Sequence, residues 1–121
     1  MKGVIILAHG SKRQETEKIL NSLTEKVKLI TGETLIFPAY LQFSEQDLEA
    51  GVDYLVKKGA TDIIVIPMLL FDGIHVTQSV PMKLSEIRNK YHGINIRMSH
   101  HLGDDDRIAE IIADRVRSII D

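Results

Sequence analysis

The sequence predicts an α/β fold built on a parallel sheet, and three features of its 121 residues lead there. Short apolar runs alternate with amphipathic stretches four times over. The runs are continuous, as in strands buried on both faces. The chain is long enough for one core and too short for two. Together these features predict a single domain over residues 1–121, a three-layer sandwich with right-handed crossovers and helices on both faces of a four-stranded sheet.

The first run, Val4 to Ala8, reads as a strand that His9 and Gly10 end. Ser11, with Gln14 three residues later, resembles a capping box, and Ile19, Leu20, Leu23, Val27 and Ile30 recur at helical spacing until Gly32 supplies a stop. Thr34 to Tyr40 reads as the second strand, and Pro38 inside it argues for an edge position because proline cannot donate to a neighbour. Ser44 and Asp47 open a second helix through Leu48, Val52, Leu55 and Val56, ended by Gly59. Asp62 to Ile66 is the third strand, β-branched from Ile63 to Ile66, and Pro67 closes it. Thr77 to Ser79 begin a third helix whose stripe is Val80, Leu84, Ile87 and Tyr91, and Ile94 to Met98 form a fourth strand. Asp104 to Asp106 suit a helix N-terminus, and Ile108, Ile111, Ile112, Val116, Ile119 and Ile120 make the clearest helical face in the chain. A flavodoxin-like strand order of 2-1-3-4 places the Pro38 strand at the edge and strands one and three side by side in the middle.

Composition narrows the function classes. With 44% hydrophobic, 26% charged and 5% aromatic residues the chain reads as an ordinary globular protein. Fifteen basic against 17 acidic residues, with no basic run longer than two, give no electrostatic footprint for nucleic acid or an anionic membrane. Cysteine is absent, which removes disulfides, thiolate metal sites and cysteine nucleophiles and leaves His, Asp and Glu as metal ligands. The N-terminal apolar run is too short for a signal-peptide core or a membrane span, so the expected location is cytoplasmic.

In sheets of this kind ligands bind beyond the carboxyl ends of the strands where the strand order reverses, here between strands one and three. His9 ends strand one, and His75 follows strand three within "LLFDGIHVTQSVP", residues 69–81. A lone histidine is more often a surface or packing residue than a ligand; two at adjacent switch-point ends, beside Gly10 and Gly73, weigh evenly between the two readings. His92 reads as a helix-end residue. His100 and His101 read as a turn, with a secondary metal contact as the alternative. Ser11 reads as a cap rather than a nucleophile. Lys12 and Arg13 read as a solvated first turn or as cations for a carboxylate, Glu45 as a helix-start residue, and Asp72 as a turn residue. No glycine-rich phosphate loop occurs, so no nucleotide is implied.

"ILAHGS" (6–11) and "PMLLFDGIHVTQSVP" (67–81) resemble the small, half-length class II sirohydrochlorin chelatases of the cobaltochelatase type, and the resemblance extends to "FSEQDLEAGVDYLVKKGATDIIVIP" and "LGDDDRIAEIIADRV". It implies a lyase that inserts a divalent metal, Co2+ first with Ni2+ or Fe2+ behind it, into sirohydrochlorin without ATP, in cobalamin or siroheme-type biosynthesis. His9 and His75 would then be the catalytic, metal-binding pair. Gly10, Ser11, Lys12, Arg13, Gln42, Gly73, Thr77 and Ser79 would line the substrate site, with Glu45 and Asp72 as accessory candidates. Gln42 stands where many members carry glutamate, Gln46 where they carry proline, and Ser79 where they carry aspartate, a change that keeps a helix N-cap. Longer relatives contain two such halves, so a homodimer is expected. Two rival functions are a metal or tetrapyrrole carrier without turnover and a phosphohistidine carrier, since the mannose-type phosphocarriers of sugar transport also resemble "HG" after strand one.

Overall fold

The computed structural model describes residues 1–71 and 73–120, without the side chains of His75 and Val76. Its elements are β1 (Lys2–Ala8), α1 (Gln14–Thr31), β2 (Ile36–Tyr40), α2 (Leu48–Lys57), β3 (Asp62–Pro67), a π-turn (His75–Ser79), α3 (Val80–Lys90), β4 (Asn95–Met98) and α4 (Asp106–Ile120). The strands are all parallel and run β2-β1-β3-β4, the order expected from Pro38, which pairs with Ile6 from the sheet edge.

The first face of the sheet is sealed. Ile5, Leu7, Ala39, Ile63, Val65 and Ile96 meet Leu48, Val52 and Leu55 of α2 and Val80, Leu84 and Ile87 of α3 in one core. Apolar surface removed from water drives this packing, and the long β-branched runs of β1 and β3 supply it from the middle of the sheet. On the second face α1 covers Ile6, Ala8, Ile36 and Tyr40 with Leu20. Thr24 is buried there too, its hydroxyl donating 2.7 Å to the Leu20 carbonyl, so the polar group leaves no unmet partner.

Three helix starts differ from the sequence expectation. Ser11 does not cap α1: its Oγ accepts from Arg13 N–H at 3.1 Å in a local turn, and Arg13 takes the cap position with no side-chain cap bond. At α2 the cap is Asp47, which accepts from Ala50 N–H at 2.9 Å, while Ser44 accepts from Gln46 N–H. Both serines satisfy the amide two residues ahead, a competing bond open to any short hydroxyl side chain. Ser79 is the third: its backbone is already helical (φ −64°, ψ −47°) as the last residue of the π-turn, so it makes no cap bond.

The fourth helix departs furthest. Its apolar stripe is the strongest in the chain, yet none of its residues is buried. Among the described residues no helix is long and apolar enough to cross a membrane.

Candidate functional site

The site is positioned by two parallel strands that end together. Leu7 pairs with Pro67, and Met68 N–H donates to the Leu7 carbonyl at 2.8 Å, so the exits of β1 and β3 leave the sheet side by side. His9 follows the first exit and is exposed. After the second exit the chain runs through Leu69, Leu70 and Phe71 to Gly73, and His75 is the first residue of the π-turn. The turn is fixed at its start by Gly73, whose carbonyl accepts from both the backbone N–H and the hydroxyl of Thr77, each at 3.1 Å. π-turns are uncommon and recur at functional positions, where the wider winding re-aims side chains. Asp72, an accessory candidate, lies outside the described residues.

The end of β2 forms the third wall. Leu41 N–H donates to the Ala8 carbonyl at 2.9 Å and Gln42 N–H to the His9 carbonyl at 3.2 Å, which ties the Gln42 loop to the exit of β1. Gly10 sits under this loop with φ +92°, a left-handed conformation suited to glycine. A Cβ there would strike the Gln42 carbonyl oxygen and lie 3.3 Å from Tyr40 Cβ. The His9-Gly10 pair is thus set by backbone contact with the neighbouring strand end.

Gln42 and Ser79 come together on a cleft of about 390 Å³, walled also by Tyr40, Leu41, Asp47, Leu48, Val80 and Lys83. Lys83 offers this cleft a cation 3.7 Å from Glu86 on the next turn. His9 is not among its walls. Of the other substrate candidates, Lys12 and Arg13 are exposed on the approach to α1, Arg13 pairing with Glu15 at 3.3 Å, and Glu45 is exposed. At the two helix starts, the Thr77 amide donates to the Gly73 carbonyl and the Arg13 amide to Ser11 Oγ. A second groove, of about 460 Å³, runs between Leu70, Phe71 and His101 and the start of α4 at Ile108 and Ile112. Asp105 on its wall accepts two hydrogen bonds from the Arg107 side chain at 2.8 and 2.6 Å, which hold its carboxyl far below the ordinary carboxylate range. Among the described residues no three His, Asp or Glu side chains gather into a metal cage.

Sequence reasoning missed two residues. Phe43, beside Gln42, has φ +61°, the one non-glycine residue with positive φ among those described, and its ring is 56% exposed. Lys12 Nζ lies 5.4 Å from the ring centroid, a cation–π distance. Strain of this kind in a bulky residue costs about 1–2 kcal/mol and clusters at ligand clamps. The signal available in the sequence was an aromatic residue stranded between polar neighbours, Gln42 and Ser44. Tyr40 is the other: its hydroxyl is buried with no hydrogen-bond partner, and burial, with the Glu17 charge behind it, pushes the phenol up.

The chain is 28% identical over 120 residues to the sirohydrochlorin cobaltochelatase of Sulfurisphaera tokodaii, covering 99% of this chain and 95% of that one. It is 27% identical over 115 residues to the chloroplastic sirohydrochlorin ferrochelatase of Arabidopsis thaliana, covering 95% of this chain and spanning only 51% of that relative. The fold superposes on the sirohydrochlorin chelatase of Bacillus subtilis subspecies spizizenii in complex with cobalt with a TM-score of 0.90 at 24% identity, over 98% of this chain and 50% of that one. The sequence profile of the CbiX family matches residues 3–119, and the chain belongs to that family.

Proposed function

We propose that the protein is a sirohydrochlorin chelatase, a lyase that exchanges the two pyrrole protons of the free macrocycle for one divalent cation. The carrying observation is the pair of adjacent strand exits, β1 delivering His9 and β3 delivering the turn that opens at His75, in a chain of the CbiX family. The metal is a substrate, so it must be held and then released. Neutral imidazole binds borderline divalent cations and near pH 7 also accepts a proton, so a site of two histidines can both deliver the cation and take up a displaced proton. A fuller cage would compete with the macrocycle for the metal.

The surroundings suit a flat, acid-bearing substrate. Phe43, Phe71 and Ile74 are exposed apolar residues at the rim, at 56%, 82% and 62%, and can meet the face of a macrocycle, while Lys12, Arg13 and Lys83 can meet its carboxylates. Cobalt is the first choice of metal, with nickel and iron behind it. The relatives' names divide between cobalt and iron, and two imidazoles do not select among metals that follow a general affinity order.

The test is spectrophotometric metallation of purified sirohydrochlorin with Co2+, Ni2+ and Fe2+ in parallel, for the parent, His9→Ala and His75→Ala. The expected result is acceleration over the uncatalysed insertion that each substitution lowers at least tenfold; full rate in both variants would sink the mechanism. A carrier without turnover is the second reading. It is favoured by Gln42 and Ser79, two uncharged residues on the cleft where the resemblance implies carboxylates. Stoichiometric retention of metal with no acceleration supports it.

A further inference from the structure

The cleft that joins Gln42 and Ser79 carries a charge arrangement that the two histidines leave unused. It opens on the first face of the sheet, where the first turns of α2 and α3 come together and supply Asp47, Leu48, Ser79, Val80 and Lys83 as walls. Its volume of about 390 Å³ is at the low end for a small-molecule site, about 300–1,000 Å³, and suits a substituent of a macrocycle rather than the ring. Backbone connects it to the strand exits. Gln42 N–H donates to the His9 carbonyl at 3.2 Å, and Ser79 closes the π-turn that opens at His75.

The base of the cleft is core, since Leu48 and Val80 are 4% and 1% exposed. Above them the walls are polar, and their charges do not cancel. Asp47 is the one acid among the described wall residues. Its Oδ1 accepts from Ala50 N–H at 2.9 Å, which commits that oxygen to the start of α2, where the helix dipole offsets its charge. Lys83 has a looser partner. Its ammonium lies 3.7 Å from Glu86, the two side chains are 47% and 68% exposed, and a pair so open to solvent contributes little. Gln42 and Ser79 add an amide and a hydroxyl, and the Ser79 hydroxyl is not spent on a helix cap. An apolar base under one cation and two neutral hydrogen-bonding groups matches a carboxyalkyl arm, whose methylene stem gains from burial and whose carboxylate gains from an ammonium and donors.

We propose that this cleft is a carboxylate subsite for the tetrapyrrole, in which Lys83 pairs with one acid arm and so sets how the macrocycle lies over the strand exits. The proposal rests on the chelatase reading for its substrate and adds to it a specificity-determining residue on α3. Helical spacing accounts for the pairing of Ser79 with Lys83. The backbone of Ser79 is already helical, and four residues on, one turn along the same side, stands Lys83. An aspartate at position 79, which the resemblance implies, would pair with that ammonium and repel an incoming acid. Serine leaves the ammonium available to the ligand and still offers it a hydrogen bond.

The test is a fluorescence titration of metal-free sirohydrochlorin with the protein at low and high salt. The parent is expected to bind, and more weakly at high salt. Lys83→Ala is expected to raise Kd about tenfold at low salt and to flatten the salt dependence, whereas Lys83→Arg keeps Kd within about threefold of the parent. Ser79→Asp is expected to weaken binding as much as Lys83→Ala. Lys26→Ala, on α1 across the sheet, is expected to leave Kd unchanged. Because Ser79, Lys83 and Lys26 are exposed, all variants should melt within about 3 °C of the parent. Parent-like binding by Lys83→Ala or Ser79→Asp, an arginine variant as weak as the alanine one, or an equal loss in Lys26→Ala would each overturn the subsite and leave the chelatase reading standing. A parent that binds sirohydrochlorin without accelerating metallation would remove that reading and leave the subsite. A parent that binds no sirohydrochlorin would overturn both.

Discussion

Gly10→Ala tests whether the His9 exit and the Gln42 loop are one unit. At φ +92° an alanine incurs about 1–2 kcal/mol from the left-handed conformation alone. Its Cβ would also occupy the place of the Gln42 carbonyl oxygen, so the loop must withdraw. Withdrawal strains the Leu41-to-Ala8 and Gln42-to-His9 backbone bonds at 2.9 and 3.2 Å, each contributing about 1 kcal/mol. The sum is about 3 kcal/mol. For 121 residues the unfolding entropy is about 0.25 kcal/mol/K, so the melting temperature should fall by roughly 12 °C. Gly32→Ala is the control, because Gly32 has φ +76° and nothing within 4 Å of an added Cβ. It bears the conformational cost alone, about 4–8 °C. Thermal unfolding followed by circular dichroism gives both values in one buffer. Equal losses in the two variants would refute the contact argument, since the left-handed cost is common to them and only the Gln42 contact differs.

Tyr40→Phe removes a buried hydroxyl that has no partner, and should leave urea stability unchanged or raise it by up to about 1 kcal/mol; a loss larger than that would mean the hydroxyl is bonded in solution. The Asp53 carboxyl is held below its ordinary value by hydrogen bonds from Lys57 first and Tyr91 second, so its contribution is present above the unfolded carboxylate value and is lost as pH falls through the folded one. Asp53→Asn should therefore lower the urea midpoint slightly at pH 7, with solvent screening keeping the effect small, and the gap from the parent should close below about pH 4. Gln42→Glu restores a carboxylate to the cleft and should raise the initial metallation rate; an unchanged rate would show that no proton acceptor or ligand is needed at that position. Phe43→Ala should raise KM for the tetrapyrrole with little change in melting temperature, because the 56% exposed ring adds little to the core, and an unchanged KM would count against a stacking role.

What was legible in the sequence follows from what local pattern encodes. β1 and β3 are readable because strands buried on both faces must be apolar without interruption, and Pro38 marks the edge because it has no N–H to give a neighbour. His9 and the approach to His75 follow directly from those strand ends. The caps were not legible: a serine ahead of a helix can bond the amide two residues on or cap the helix, and residue type alone does not choose between them. Nor was Phe43, since its strain belongs to a backbone angle set by the loop around it. α4 is the instructive case: its periodicity correctly predicts a helix, while the apolar face it marks for packing stays exposed in the structure. Periodicity records that a face leaves water and carries no label for the surface that receives it. A stripe left open therefore reads the same in the sequence as a stripe packed on the chain's own sheet. Only the fold, which leaves Ile111, Ile112 and Val116 exposed and Ile64 and Ile66 half-buried, separates the two.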